Sequence, residues 1–146
     1  MTGNKEIWLL IENAVKLHGH LGPFLVIGVR MGDIAGKHLD LDSKNICKLQ
    51  ASIRTPLLTP FSCVIDGIQA STGCTVGNQK LRIEKSTKKI SAAFGLRGSD
   101  KVMKISVNTK VAETLMEEMS RGASVVQLAA EIAEMQEEQL FVLEEG

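Results

Sequence analysis

Two stretches of this chain hold side chains that a fold alone does not demand: His18-Gly19-His20, and the run from Cys63 to Cys74. Imidazole nitrogen and thiolate sulfur are the donors that borderline and soft divalent ions select, so together these residues point to a transition-metal site. Two imidazoles flanking one glycine can meet at one ion only where the backbone is extended or turning, since on a helix they would point to opposite sides. The pair also has a plainer use, with His18 beside the negative end of a helix dipole and His20 a satisfied polar residue in a turn. Cys63 is expected in the first turn of a helix, where the dipole and unpaired amides favour a thiolate and make it a better ligand or nucleophile. Asp66, three residues on, shares its face. A cysteine among apolar helical neighbours is more often a small buried hydrophobe, which is the competing use of Cys63. Cys74 is harder to assign to packing, because Ser71-Thr72-Gly73-Cys74-Thr75-Val76-Gly77-Asn78 is a loop of glycines and hydroxyls suited to close approach by a ligand or another chain. A helix rising about 1.5 Å per residue spans on the order of 14 Å from Cys63 to Thr72, so Cys63 and Cys74 share one ion only if the chain folds back. Cys47 and His38 have simple packing or capping uses. No Cys-x-x-Cys, His-Glu-x-x-His, phosphate-binding loop or Gly-x-Ser-x-Gly motif occurs.

The elements that must position these residues are readable from periodicity. Apolar residues recur at helical spacing from Ile7 to Leu17, and Gly19 then closes the helix, with Pro23 suited to the first turn of the next. The histidines therefore sit at a corner. A second helix is predicted from Phe24 to about Leu39, with Gly28, Gly32 and Gly36 forming a stripe that permits close backbone packing. Ile46 to Arg54 reads as a strand. Thr59-Pro60 reads as N-cap and first helical position of a helix that carries Cys63 and stops before Gly73. Leu81–Ser86, Ile90–Leu96 and Val102–Val107 read as an antiparallel meander. Val111, Leu115 and Met119 mark a helix stopping at Gly122, and Ser124-x-x-Gln127 is a capping box opening a last helix. Its Val125, Leu128, Ile132 and Met135 form a narrow seam that suits either a core or a dimer. The expected class is α+β: an antiparallel sheet of about four strands packed against N-terminal and C-terminal helices, in one domain over residues 1–146.

Composition excludes several function classes. Lys plus Arg and Asp plus Glu number 17 each, so no large field attracts nucleic acid or anionic lipid. Aromatic content is 3%, too little for base stacking. No apolar run spans a bilayer, and the polar start Met1 to Glu6 has no signal core, so a cytoplasmic location is expected. Three cysteines at spacings of 16 and 11 read as thiols and not as a disulfide framework.

Three motifs in order, His18-Gly19-His20-Leu21-Gly22-Pro23, then Phe61-Ser62-Cys63-Val64-Ile65-Asp66-Gly67-Ile68-Gln69, then Thr72-Gly73-Cys74-Thr75-Val76-Gly77-Asn78, resemble the FmdE family of formylmethanofuran dehydrogenase proteins over nearly the whole chain. The resemblance implies a helix-covered sheet, a homodimer, and a cleft where the histidine corner meets the cysteine helix. It implies His18, His20, Cys63 and Cys74 as metal or cleft residues, Zn²⁺ as the ion with nickel or iron as alternatives, and Asp66 and Gln69 as supporting groups. The chain departs from the family in two ways. Nothing after Cys74 supplies the two-pair cysteine zinc finger of many relatives, and Gly22 stands where relatives often carry a cysteine. Three functions follow as expectations. The first is a metal-binding accessory or carrier protein linked to molybdenum- or tungsten-type or one-carbon redox metabolism, with a redox enzyme or a small molecule in the cleft as partner. The second is a small metalloenzyme with an open coordination position, in which Cys63 or Asp66 acts catalytically. The third is a thiol-based redox protein with Cys63 as nucleophile.

Overall fold

The computed structural model of this chain describes residues 2–146; Met1, part of the polar start read above, lies outside the described residues. Two helices come first, α1 (Thr2–His18) and α2 (Pro23–His38). Strand β1 (Leu49–Thr55) follows, then α3 (Cys63–Thr72) and β2 (Leu81–Lys85). Strands β3 (Ser91–Leu96) and β4 (Val102–Val107) form a hairpin, and helices α4 (Thr109–Ser120), α5 (Val125–Glu134) and the one-turn α6 (Glu137–Leu140) lead to a last strand, β5 (Phe141–Glu145). The α+β class holds.

The sheet has five strands in the order β2-β1-β3-β4-β5, antiparallel except for the parallel pair β1 and β2. The expected three-strand meander is thus corrected in one place. Thr87-Lys88-Lys89 is not a hairpin, because β1 lies between β2 and β3 and pairs with both. The helix between β1 and β2 is the cause: a chain that crosses over through α3 re-enters the sheet running the same way. Ile46–Lys48 is a tight 3-10 turn and not strand, which leaves Cys47 exposed, and the strict inside-outside alternation begins only at Leu49. β5 has no counterpart in the sequence reading, since it follows a four-residue helix and alternates over only five residues.

The helices bury one side of the sheet. Leu49, Ala51 and Ile53 of β1, Phe94 of β3 and Met103 and Ile105 of β4 meet Phe24, Leu25, Ile27 and Met31 of α2 in one continuous apolar cluster. Helices α2 and α3 meet in close backbone contact. A Cβ added at Gly28 would lie 2.2 Å from the Val64 carbonyl oxygen, and one at Gly67 would lie 2.3 Å from that of Leu25. Gly32 likewise faces Ser71, so the glycine stripe of α2 serves contact with α3. At the far end, the half-buried Arg30 donates to the carbonyls of Ile132 and Met135, closing the C-terminus of α5, and lies 6.0 Å from the centre of the Phe141 ring.

Candidate metal centre

The α2–α3 contact brings the first two motifs together. α1 ends at His18, Gly19 takes φ +103°, and Gly22 precedes Pro23 in extended conformation, so the corner turns within four residues. Ser62 precedes α3, and Cys63 and Val64 donate their amides back to Pro60 and Phe61 in tight turns. The helix therefore starts at Cys63. Thr59–Pro60, expected as the cap, instead forms a cis peptide upstream of it.

His18 Nδ1 lies 2.6 Å from Asp66 Oδ2. The His18 side chain is 13% exposed, and its other nitrogen, Nε2, is buried with no hydrogen-bond partner. A buried polar nitrogen left unpaired costs about 1–3 kcal/mol, so a group that accepts its lone pair or its proton is favoured there. The exposed ring of His20 lies 4.5 Å from that of His18, centre to centre. Both border a small cavity of about 70 Å³ whose wall includes Gly22, Phe24, Pro60, Cys63 and Met119. Phe24, on that wall, packs edge-on against Phe61 at 5.4 Å.

The electrostatics at Cys63 differ from the sequence expectation. Burial pushes the thiol up, and the neighbouring carboxylate of Asp66 pushes it further, while its backbone hydrogen bond lowers it by less. A low-pKa thiolate at this helix start is therefore corrected: desolvation and a like charge outweigh the dipole. His18, His20 and Cys63 border the cavity, and Asp66 orients His18.

Cys74 is placed elsewhere. It lies past the far end of α3, where Gly73 takes φ +76°, and its thiol donates to the Leu49 carbonyl at 3.4 Å. Burial raises this thiol as well. The hydroxyls and amides of its loop are used internally: Thr72 accepts from the Cys74 amide, and Thr75 and Asn78 bond each other's backbones. Gln69 is half-buried one turn beyond Asp66 and does not border the cavity.

The donors present, two imidazoles and one thiol, suit zinc and its neighbours. Among the described residues, however, no three His, Cys, Asp or Glu side chains are drawn together as a ready-made ligand set. Met119, from α4, borders the cavity and was missed by sequence reasoning, having no local signal beyond a helical stripe. Gly22, noted in the sequence for the missing cysteine, borders it too: a Cβ there would lie 4.0 Å from His20 Nε2.

A helix-covered five-strand sheet with a histidine corner set against a cysteine helix defines a class, and comparison places the chain within it. Residues 17–143 match the family described as FmdE, molybdenum formylmethanofuran dehydrogenase operon, so the chain belongs to the FmdE family. A tungsten formylmethanofuran dehydrogenase FmdE-like protein from Syntrophus aciditrophicus shares the fold, with TM-score 0.65 at 18% identity, over 96% of this chain and 71% of that one. A probable S-adenosyl-L-methionine-binding protein of Archaeoglobus fulgidus is 36% identical over 72 residues, which are 49% of this chain. The matched segment spans only 19% of that relative.

Proposed function

We propose that this FmdE-family chain is a metal-binding accessory or carrier protein, working as a homodimer in molybdenum- or tungsten-type or one-carbon redox metabolism. The observation that carries the reading is His18: one ring nitrogen is anchored by Asp66 and the other is buried, unpaired and beside Cys63 and His20. A carboxylate that holds the far nitrogen of an imidazole fixes its tautomer and raises its basicity, the usual support for a metal-binding histidine. His18, His20 and Cys63 would hold the ion, with Zn²⁺ as the first candidate and nickel or iron as alternatives. Cys74, bonded to Leu49 at the other end of α3, is left out of that set. The bound ion would supply Lewis acidity and a charge that turns the Cys63 thiol into a thiolate.

The decisive experiment is elemental analysis of untagged, reduced protein beside its His18→Ala, His20→Ala and Cys63→Ala variants. About one zinc, nickel or iron per chain, lost in all three, supports the site. Wild-type protein that stays metal-free after reconstitution with each ion sinks it.

A small metalloenzyme is the second reading. Two imidazoles and one thiol would leave a coordination position for water or substrate, and Asp66 behind His18 can share a proton. The raised Cys63 thiol argues against the metal-free nucleophile.

A further inference from the structure

The loop from Thr72 to Asn78 contributes nothing to the metal cavity, and its internal bonds show what it holds instead. Asn78 is the hub: its side-chain nitrogen donates to the Gly73 carbonyl at 2.8 Å, and its side-chain oxygen accepts from the amides of Thr75 and Lys80, both at 3.0 Å. Gln79 is drawn into the left-handed region at φ +63°, which a glutamine adopts only under strain. Lys80 is thereby fixed just before β2, where its carbonyl accepts from the Ala51 amide at 2.8 Å.

That place is on the face of the sheet that the helices leave open. In β1, Leu49, Ala51, Ile53 and Thr55 turn into the core, so Gln50 and Ser52 turn away from it. The parallel register sets Ser52 beside Arg82 of β2, and Gln50 falls one step earlier, level with Lys80. With Gln79, these four surround a hollow of about 230 Å³. Opposite Gln50 and Ser52 on β3 stand Gly95 and Ala93, too small to fill it. Lys80 is half-buried and the other four are exposed. Exposed polar side chains are ordinary, but here five converge on one depression, two of them cations, with no carboxylate on its wall. Among the described residues none of the five side chains has a hydrogen-bond or ion-pair partner within the chain. The carboxylates of that face have cations of their own: Glu84 pairs with Arg54 at 3.4 Å, and Glu144 stands opposite Lys104 across β4 and β5.

We infer that this hollow binds a phosphate dianion, free or as the end of a small phosphomonoester. Arg82 offers a two-pronged guanidinium that matches phosphate oxygens, Lys80 adds a second positive charge, and Gln50, Gln79 and Ser52 supply neutral donors for the remaining oxygens. Size limits the ligand. The hollow falls short of the about 300–1,000 Å³ that enclose a whole small molecule, so it grips one group and leaves the rest in solvent. A phosphate polymer fits less well, because 17 cations balanced by 17 carboxylates give no basic track beyond the hollow. The site lies past the far end of α3 from Cys63, on the other face of the sheet, and is independent of the proposed metal.

The test is a titration of the full chain at pH 7.5 followed by ¹H–¹⁵N NMR, with inorganic phosphate in one arm, phenyl phosphate in another, and sodium chloride at matched ionic strength as the third. Saturable shifts are expected at the amides of Gln50, Ser52, Lys80 and Arg82, half-complete at about 1 mM or below and absent in chloride. Tighter binding of phenyl phosphate assigns a monoester and tighter binding of the inorganic ion assigns free phosphate; each upholds the site. Arg82→Ala and Lys80→Gln should each weaken binding about tenfold, and Arg82→Lys, which keeps the charge but loses the fork, about threefold. Gln79→Gly separates the site from the fold: it relieves the left-handed backbone, so stability in urea should hold or rise, while loss of the side-chain amide weakens binding about threefold. The inference is overturned by no saturable shift with either phosphate up to about 20 mM, by shifts that chloride reproduces, or by binding of wild-type strength in both Arg82→Ala and Lys80→Gln.

Discussion

His18 is tied at one nitrogen and free at the other, and that asymmetry sets what substitutions at the site should do. Asp66→Ala removes the tie without touching any first contact to the ion, and should lower zinc affinity by about 10- to 100-fold in competition with a chromophoric chelator. An unchanged affinity would mean that His18 does not bind the metal. On the proposed site, Cys63 should make the affinity depend on pH. Its raised thiol is protonated at neutral pH, so metal binding would release a proton, and affinity should climb about tenfold per pH unit from 7 to 8.5, a slope that Cys63→Ala removes. The same shift has the opposite consequence for metal-free stability. Cys63 and Cys74 titrate above their ordinary value of 9.0 in the folded chain, so the folded state holds protons that the unfolded state has released. Stability is intact below about pH 9 and falls as pH rises through the folded values, which urea unfolding at pH 8 and pH 10 would reveal. Gly22 offers a gain of function. Its extended backbone accepts any side chain and faces His20, so Gly22→Cys should add a thiolate ligand and tighten zinc binding by about tenfold or more.

At the scale of elements, the site depends on how closely α2 and α3 approach. Gly67→Ala would press a methyl into the backbone of α2, and helices cannot separate without opening the core on both sides; a loss of about 3 kcal/mol or more in urea unfolding is expected. A cost below about 1 kcal/mol would show that the crossing yields. This contact is half legible in the sequence. The glycines of α2 announce a close approach by their four-residue spacing, but the lone Gly67 inside α3 carries no periodic signal, so the partner could not be named. The histidine corner is readable because Gly19 and Pro23 punctuate it locally. The exact first residue of α3 is not, since the tight turns that bring in Cys63 are made by Pro60, Phe61 and Ser62 and replace the cap expected at Thr59-Pro60. The same limit applies to the thiol: position at a helix start is visible in sequence, whereas burial beside Asp66 is a tertiary fact.

For the whole molecule, strand content is legible and strand order is not. Alternation marks β1, β3 and β4 in any arrangement, but the insertion of β1 between β2 and β3 follows from where α3 lands, which no local residue records. The final strand, pinned by Phe141 under Arg30, belongs with these non-local features. One property of this architecture bears on the cargo. The crossing that sets His18 against Asp66 is built from close backbone contact and buried hydrocarbon, so the helices that frame the pocket hold together by packing. A zinc finger collapses when its ion leaves; here the far-ultraviolet dichroism of chelated and loaded protein should coincide. On the proposed carrier reading, handing an ion to an acceptor would then require only ligand exchange at the mouth, beside the exposed His20, with no refolding of the emptied protein.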